Sequence, residues 1–416
     1  MSGNTLFLIS LFSIWLLLLY HMFLALGGYL YSVWVEGQKQ HPLPVKKQWP
    51  KVTILIPAHN EDIVIRNTLE SMVELDYPKD RLQVIVINDN SSDRTGEICD
   101  SFADKYPFIQ PMHSFPPEGG IGKSAALNRA LKHATGEFIA VYDADNNPEK
   151  AAIKQLVVAF DDQPLIGAVV GKFRVINARK NLLTQFINIE TISHQWMTQA
   201  GRWKWFRISS IPGTNFMIRK HVLVQVGGWD GEALAEDTEL SIRVYEEGYS
   251  IRFYPLAITW EQEPETWKVW FKQRTRWARG NQYVIIKYLP RLLTMKRKKM
   301  IFDLLYYFFT YFLFLGGVLL SHTVFLLSAL GVVEMTLPGP FILIWLLAYM
   351  LFIIEIMITL AIERTELTLK NFFIVILMYL TYSQLWIVLV IRSLWLHIRS
   401  VIRREEFKWD KTQRFQ

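Results

Sequence analysis

Apolar residues gather at the two ends of the chain, and the middle alternates short apolar runs with amphipathic ones. Thr5 to Trp34 is about thirty residues without Lys, Arg, Asp or Glu. About 20 apolar residues suffice for a spanning helix, so this stretch can cross a bilayer with tilt. A signal peptide would have a shorter apolar region, about 7–15 residues, behind a positive start; the start here, Met1-Ser2-Gly3-Asn4, is uncharged. Three further apolar stretches, at about 304–333, 339–362 and 372–397, close the chain. In between, Val52–Pro57, Leu82–Ile87 and Phe138–Tyr142 read as buried strands, and Gly167–Val170 as part of a fourth. Helical spacing runs over 62–74, a helix begins at Ser92, and another runs from Ser124 to Thr135 with Gly136 ending it. Strands alternating with helices predict an α/β domain with a mostly parallel sheet. The expected organisation is a transmembrane helix at 1–35, a central α/β domain at 48–265 and an amphipathic interfacial segment at 266–300. About three transmembrane or re-entrant helices follow at 301–397, and a basic tail at 398–416.

Composition adds little until it is placed along the chain. With 51% hydrophobic and 20% charged residues the totals are ordinary, but their separation excludes a simple soluble enzyme, a disordered chain, a collagen-like fibre and a disulfide scaffold. Cys99 alone forms no internal disulfide and fits a reducing compartment. Forty-five Lys and Arg against 38 Asp and Glu give +7, which suits nucleic acid, anionic lipid or an anionic substrate. Without zinc-ligand spacing or an RNA-binding signature, nucleic acid is set aside. Lys39, Lys46 and Lys47 follow the first span, so the positive-inside rule puts the N-terminus outside and the central region in the cytoplasm. Three later crossings would then leave the C-terminus outside, whereas the basic tail (Arg392, Arg399, Arg403, Arg404, Lys408, Lys411, Arg414) favours the inside. Either one stretch lies in the interface or re-enters, or charge does not decide the side of the tail; the tail is expected to be cytoplasmic. Glu355 falls within a span and is a functional candidate there, or a carboxyl snorkelling near a boundary.

Candidate chemistry sits at the carboxyl ends of the predicted strands, the ligand-binding rim of such sheets. Those ends read His59-Asn60-Glu61, Asn88-Asp89-Asn90 and Asp143-Ala144-Asp145. Asp143 and Asp145 can aim oxygens at one hard cation, Mg2+ or Mn2+, shared with a substrate diphosphate; the competing reading is a turn, with Asn147 and Pro148 opening the next helix. Gly119 to Ser124 is not a phosphate loop, because Pro117 stands at its first glycine position and three prolines break the preceding stretch. Lys123, at a helix start, can still meet a phosphate. Glu236 and Asp237 precede a helical segment and read either as a cap or as chemistry. Gln273-Arg274-Thr275-Arg276-Trp277 lies on a segment rich in Trp and Arg, which places it at headgroup depth without excluding a sugar- or phosphate-binding role.

Taken together, Pro57 to Glu61, Asn88 to Asp93, Gly122 to Asn128, Asp143-Ala144-Asp145, Pro212-Gly213-Thr214-Asn215-Phe216, Glu236-Asp237 and Gln273 to Trp277 resemble the membrane-embedded inverting glycosyltransferases of family 2. Their catalytic domain has the nucleotide-diphosphosugar (GT-A) fold inserted between transmembrane helices, and processive members make cellulose, chitin, hyaluronan and poly-N-acetylglucosamine. The resemblance covers about Thr53 to Gly280 with the flanking spans, and the poly-N-acetylglucosamine branch is nearest in length and span arrangement. The tail from Lys408 to Arg414 is similar to the family's basic, Trp-containing end. By this resemblance the chain transfers a sugar, N-acetylglucosamine first and glucose next, from a UDP-sugar to a growing β-linked polysaccharide that it also translocates. The alternatives are single transfer to a lipid or short acceptor and, in another class, a non-catalytic membrane transporter or scaffold. The resemblance implies that Asp89 holds the uridine, that Glu61 and Lys123 approach the nucleotide-sugar, and that Asp145, with Asp143, binds the metal. It implies that Asp237 beside Glu236 is the general base, and that Gly213 lines the acceptor passage. Gln273, Arg274, Arg276 and Trp277 would hold the diphosphate and the terminal acceptor sugar. A small membrane subunit is an implied further partner. Two departures stand out: Asn88 and Asn90 replace the family's Asp and Gly, and Gly171-Lys172 stands where the family carries Gly-Asn. Asn tolerates a left-handed backbone, so the turn at 90 is expected to survive.

Overall fold

The computed structural model describes residues 3–44, 47–160, 163–294, 298, 301, 305–306, 308–332, 341–403 and 414–415. The tail residues Arg404, Lys408 and Lys411, and Lys46, lie outside the described residues. Eight described strands form one sheet: β1 (Val52–Ala58), β2 (Leu82–Asp89), β3 (Ile109–Ser114), β4 (Phe138–Val141), β5 (Asn147–Pro148), β6 (Ile166–Val175), β7 (Phe216–Arg219) and β8 (Ser250–Glu261). Their spatial order is β3-β2-β1-β4-β7-β6-β8-β5. β1 pairs in parallel with β2 and β4, β2 with β3, and β6 with β8. β7 runs antiparallel to both neighbours.

The continuous apolar runs form strands because the sheet is covered on both faces. Along β1, Val52, Ile54 and Ile56 point to one side, where they meet Ile65, Leu69 and Leu156 of α2 (Ile65–Glu74) and α5 (Ala152–Phe160). Leu55 points to the other, toward Leu127 of α4 (Lys123–Leu131) and Leu240 of α9 (Glu236–Glu246). The helix predicted from Ser92 starts at Thr95, as α3 (Thr95–Ala103), because Asp93 Oδ1 accepts from the Thr95 amide (3.0 Å) and holds a turn before it. Asn147 and Pro148, one reading of which opened a helix, instead pair with Trp260 and Thr259 of β8, and α5 begins at Ala152.

Apolar helices flank this domain. α1 (Gly3–Lys39) docks on it through Tyr31, whose hydroxyl donates to the Phe253 carbonyl (2.8 Å). Glycine lets it cross closely: a Cβ at Gly28 would lie 1.9 Å from the Trp196 carbonyl oxygen. α6 (Leu182–Ser193) runs on through a π-helical turn (His194–Gly201) into α7 (Arg202–Phe206). α10 (Trp267–Tyr288) carries the Trp- and Arg-rich segment, and α11 (Leu315–Ala329), α12 (Phe341–Ile362), α13 (Leu369–Leu380) and α14 (Tyr382–Arg403) follow. Among the described residues, Asn4–Lys39 and Leu369–Ser400 are long and apolar enough to cross a membrane by length and composition, and Leu315–Ser328 and Leu346–Ile362 are shorter apolar helices. The stretch expected as a third C-terminal span is interrupted at Thr381, between α13 and α14.

Candidate active site

The rim at the carboxyl ends of β1, β2 and β4 gathers more than those three strands. Because β7 is antiparallel to β4, its amino end, Gly213 to Asn215, arrives at the same rim. β8 runs the way β4 does, so Glu261, Gln262 and Glu263 leave it there too.

Lys123 opens α4 and extends into this hollow, where its ammonium donates to Asp143 Oδ1 (2.8 Å) and the Gly213 carbonyl (3.0 Å) and lies 3.5 Å from Glu236 Oε1. Burial works against its charge, but Asp143 and Glu236 outweigh burial and hold the ammonium above the ordinary lysine range. The Asp143 amide donates to Thr214 Oγ1 (3.1 Å), which pins β4 to β7 at this point. Gly213 has φ +84°, and a Cβ there would stand 2.8 Å from Asp237 Oδ2. Only glycine lets this backbone pass so close to that carboxyl. Asp237, at the start of α9, accepts from the Thr238 amide (2.7 Å). Burial, and then the charge of Glu236, push its carboxyl up to about 7, with Lys123 pulling the other way. A carboxyl raised in this way is suited to accepting a proton near neutral pH.

Asp145 is 6% exposed and carries a cation. Arg414 Nη1 and Nη2 meet Asp145 Oδ2 and Oδ1 at 2.7 and 2.9 Å, and Arg414 Nε lies 3.3 Å from Glu61 Oε2. The adjacent Phe415 amide donates to Gln262 Oε1 (2.9 Å), and Gln262 Nε2 returns a bond to the Phe415 carbonyl (2.8 Å). Burial raises the Asp145 carboxyl against the pull of Arg414. Glu263, also buried, is pushed up to about 7 by burial, against the pull of Arg274. The oxygen-only donor set at Asp145 suits a hard cation, and the guanidinium over Asp145 and Glu61 is itself a positive charge standing there. Among the described residues no three acids or histidines converge tightly enough to hold a metal alone, so phosphate oxygens and water would complete its shell.

Asp89 ends β2 and is paired with Arg129 Nη2 of α4 (2.5 Å), and its carbonyl contacts His59 Nδ1 (2.6 Å). On α10 the Gln273-to-Trp277 residues divide. Arg276 faces the hollow: Glu236, Asp143 and Asp237 act on its charge, though it forms no salt bridge among the described residues. Trp277 is 41% exposed. Arg274 is fully buried, bonds Glu190 Oε2 through Nη2 (2.8 Å) and Gln273 Oε1 through Nη1 (2.5 Å), and stacks 4.0 Å from the Trp277 ring centroid. Lys123, Asp143, Gly213, Glu236, Asp237 and Arg276 thus share one hollow, with Asp145 and Glu61 beside it and Asp89 on the neighbouring strand end. Arg274 is drawn behind Trp277 and turned toward Glu190.

The sequence profile described as "Glycosyltransferase like family 2" matches residues 50–280, more than half of the chain. The chain belongs to this family. It is 57% identical over 413 residues to a probable glycosyltransferase, YdaM, of Bacillus subtilis, covering 99% of this chain and 98% of that protein. It is 31% identical over 248 residues to the poly-beta-1,6-N-acetyl-D-glucosamine synthase of Staphylococcus aureus strain COL, covering 60% of this chain and 58% of that one. The fold matches that of a mannosyltransferase, PcManGT, from Pyrobaculum calidifontis, solved in complex with GDP-Man and Mn2+, at a TM-score of 0.57 and 22% identity, over 90% of this chain and 99% of that one. The chain therefore has the GT-A fold, and its activity is that of a glycosyltransferase.

Set against the family pattern, Asn90 takes the left-handed conformation that its glycine would (φ +58°), so the turn after β2 is kept. Asn88 Nδ2 pairs with His113 Nδ1 (2.9 Å), while its Oδ1 is buried without a hydrogen-bond partner among the described residues. Lys172 sends its ammonium to Glu363 Oε1 (2.6 Å), which also accepts from Trp196 Nε1 (2.9 Å). Sequence reasoning missed Glu190, Glu263, Arg129 and the placement of Arg414. For Arg414 a signal existed in the basic, Trp-containing tail; for the others the partners lie dozens of residues away and no local pattern marks them.

Proposed function

We propose that this glycosyltransferase moves N-acetylglucosamine from UDP-N-acetylglucosamine to the end of a growing β-linked polysaccharide. The observation that carries the reading is the half-buried Asp237 carboxyl, brought beside the Gly213 backbone and Lys123 at the strand-end rim, with its protonation pushed upward by its surroundings. An acceptor hydroxyl oxygen attacks the anomeric carbon as Asp237 takes its proton. The bond from that carbon to the diphosphate oxygen breaks, the electron pair leaves with UDP, and attack from the opposite face inverts an α-linked donor to a β-linkage. Arg276, with no carboxylate bound to it among the described residues, meets the growing charge on the diphosphate. Lys123 holds Asp143 and the Gly213 loop in place and contributes its charge. Asp89 contacts the uridine, and Glu61 bounds the donor beside Asp145. Asp145, with Asp143, would hold Mg2+ or Mn2+, which when bound neutralises diphosphate charge. Gly213 leaves room for the acceptor end next to Asp237. Trp277 and Gln273 bound the acceptor side, the indole offering a flat face to a sugar ring.

We place the catalytic domain in the cytoplasm and the chain in the cell membrane, with α1, α11 and α12 crossing. α12 ends where Glu363 pairs with the domain through Lys172. α14 lies along α10: Trp270 Nε1 donates to the Tyr382 hydroxyl (2.9 Å), Arg392 stacks on Phe271, and Gln282 Nε2 donates to the Val390 carbonyl (3.3 Å). A break at Thr381 separates α13 from α14. These contacts support a third apolar stretch in the interface, which returns Arg414 to the catalytic side and removes the topological conflict.

The test incubates purified protein in detergent with a panel of UDP- and GDP-sugars, with Mg2+ or Mn2+ or a chelator, and sizes the products. UDP release with a long β-linked N-acetylglucosamine polymer is expected. Addition of a single sugar points to a lipid or short acceptor instead, and full activity in chelator refutes the cation.

A further inference from the structure

The acceptor-side tryptophan is held from behind by a carboxylate on another element. Glu190 of α6 accepts four hydrogen bonds: Oε2 from Arg274 Nη2 (2.8 Å), Arg274 Nε (3.2 Å) and the Tyr382 hydroxyl (2.8 Å), and Oε1 from Trp386 Nε1 (3.1 Å). Tyr382 accepts in turn from the buried Trp270 (2.9 Å). The Arg274 guanidinium, 1% exposed, covers one face of Trp277, which stays 41% exposed on the rest of its surface.

A buried guanidinium needs a fixed anion, or it leaves its place. Two carboxylates are near. Glu263 Oε2 is 3.9 Å away and has no hydrogen-bond partner among the described residues. Arg274 instead donates two N–H groups, Nε and Nη2, to the one oxygen Glu190 Oε2, and this double contact fixes where the guanidinium sits and which edge it turns to Glu190. Because the guanidinium sits over the indole, 4.0 Å from its ring centroid, holding it in place braces that face of Trp277.

We propose that Glu190 is a positioning residue for the acceptor: it clamps Arg274 beneath Trp277, and through Tyr382 and Trp386 it fastens the indole to α14. Arg274 then acts behind the tryptophan rather than on the diphosphate. This rests on the reading of Trp277 as the acceptor's platform. Glu190 touches neither donor nor acceptor, so its loss affects the grip on the acceptor and leaves donor chemistry in place.

The experiment compares the full chain with Glu190→Gln in two readouts. The first is oxidative footprinting of tryptophans by mass spectrometry, with Trp49 as internal reference. Freed from its covering cation, Trp277 is expected to oxidise about threefold faster, with Trp49 unchanged. The second is kinetics: acceptor KM rises about tenfold, while UDP release to water without acceptor stays within about twofold. Tyr382→Phe, which keeps the ring and removes only the hydroxyl on Glu190, moves both readouts the same way by less, and decides the matter if Glu190→Gln does not fold. An unchanged Trp277 footprint together with an unchanged acceptor KM in a folded variant overturns the proposal. So does an equal fall of donor hydrolysis and acceptor transfer. If the wild type transfers no sugar, the function proposed above fails, and the Trp277 footprint still decides whether Glu190 positions the indole.

Discussion

The pH dependence of transfer follows from the surroundings of Asp237. Its carboxyl is pushed up to about 7, first by burial and then by Glu236, with Lys123 opposing both. As the proposed base, Asp237 works only as the carboxylate, so activity is expected to fall on the acid side. Each unit below 7 removes a factor of ten in carboxylate, about 1.4 kcal/mol, leaving about one-tenth of the plateau at pH 6. Glu236→Gln removes the second cause and keeps the shape, so the acid limb should move to lower pH. Glu263 is also pushed up to about 7, but by its own burial, so Glu263→Gln should leave the inflection in place. The assay is kcat/KM for the nucleotide-sugar between about pH 5.5 and 9 at fixed metal concentration, a quantity that reports groups of the free enzyme. A flat profile down to the acid end, or an inflection that Glu263→Gln moves and Glu236→Gln does not, would refute Asp237 as the base.

Gly213→Ala forces a side chain onto a backbone at φ +84° and brings a Cβ to 2.8 Å from Asp237 Oδ2. It should cost ~1–2 kcal/mol in thermal unfolding and lower turnover by about a hundredfold through the displaced carboxyl. Arg414→Ala removes the guanidinium that would compete with the proposed cation for Asp145. The Mn2+ concentration for half-maximal rate should fall about tenfold, the worth of one charged hydrogen bond, and an unchanged metal requirement would contradict this. Glu363→Gln strands the buried Lys172 ammonium and should lower stability by about 3–5 kcal/mol, read as a lower Tm in detergent.

Strand ends were readable because continuous apolar runs stop at polar residues, as at Ile87-Asn88-Asp89 and Val141-Tyr142-Asp143. A parallel sheet then brings such ends to one rim without further information. β7 escapes this logic, because only its reversed direction delivers Gly213 to Lys123, and four residues of apolar strand do not declare a direction. The Gln273-to-Trp277 residues were visible as a group, but their division was not. On a helix Arg274 and Arg276 point to different sides, and which side is the hollow depends on Glu190, 84 residues away in sequence. Arg414 lies further still from Asp145 in sequence, and charge alone placed it in a tail rather than in the site.

The most direct measurement is single-turnover transfer by Asp237→Asn from labelled UDP-N-acetylglucosamine, with donor binding measured on the same preparation. The variant should bind donor within about twofold of wild type and transfer it about a thousandfold more slowly. Near-wild-type transfer by a folded Asp237→Asn enzyme would contradict a site built around that carboxyl.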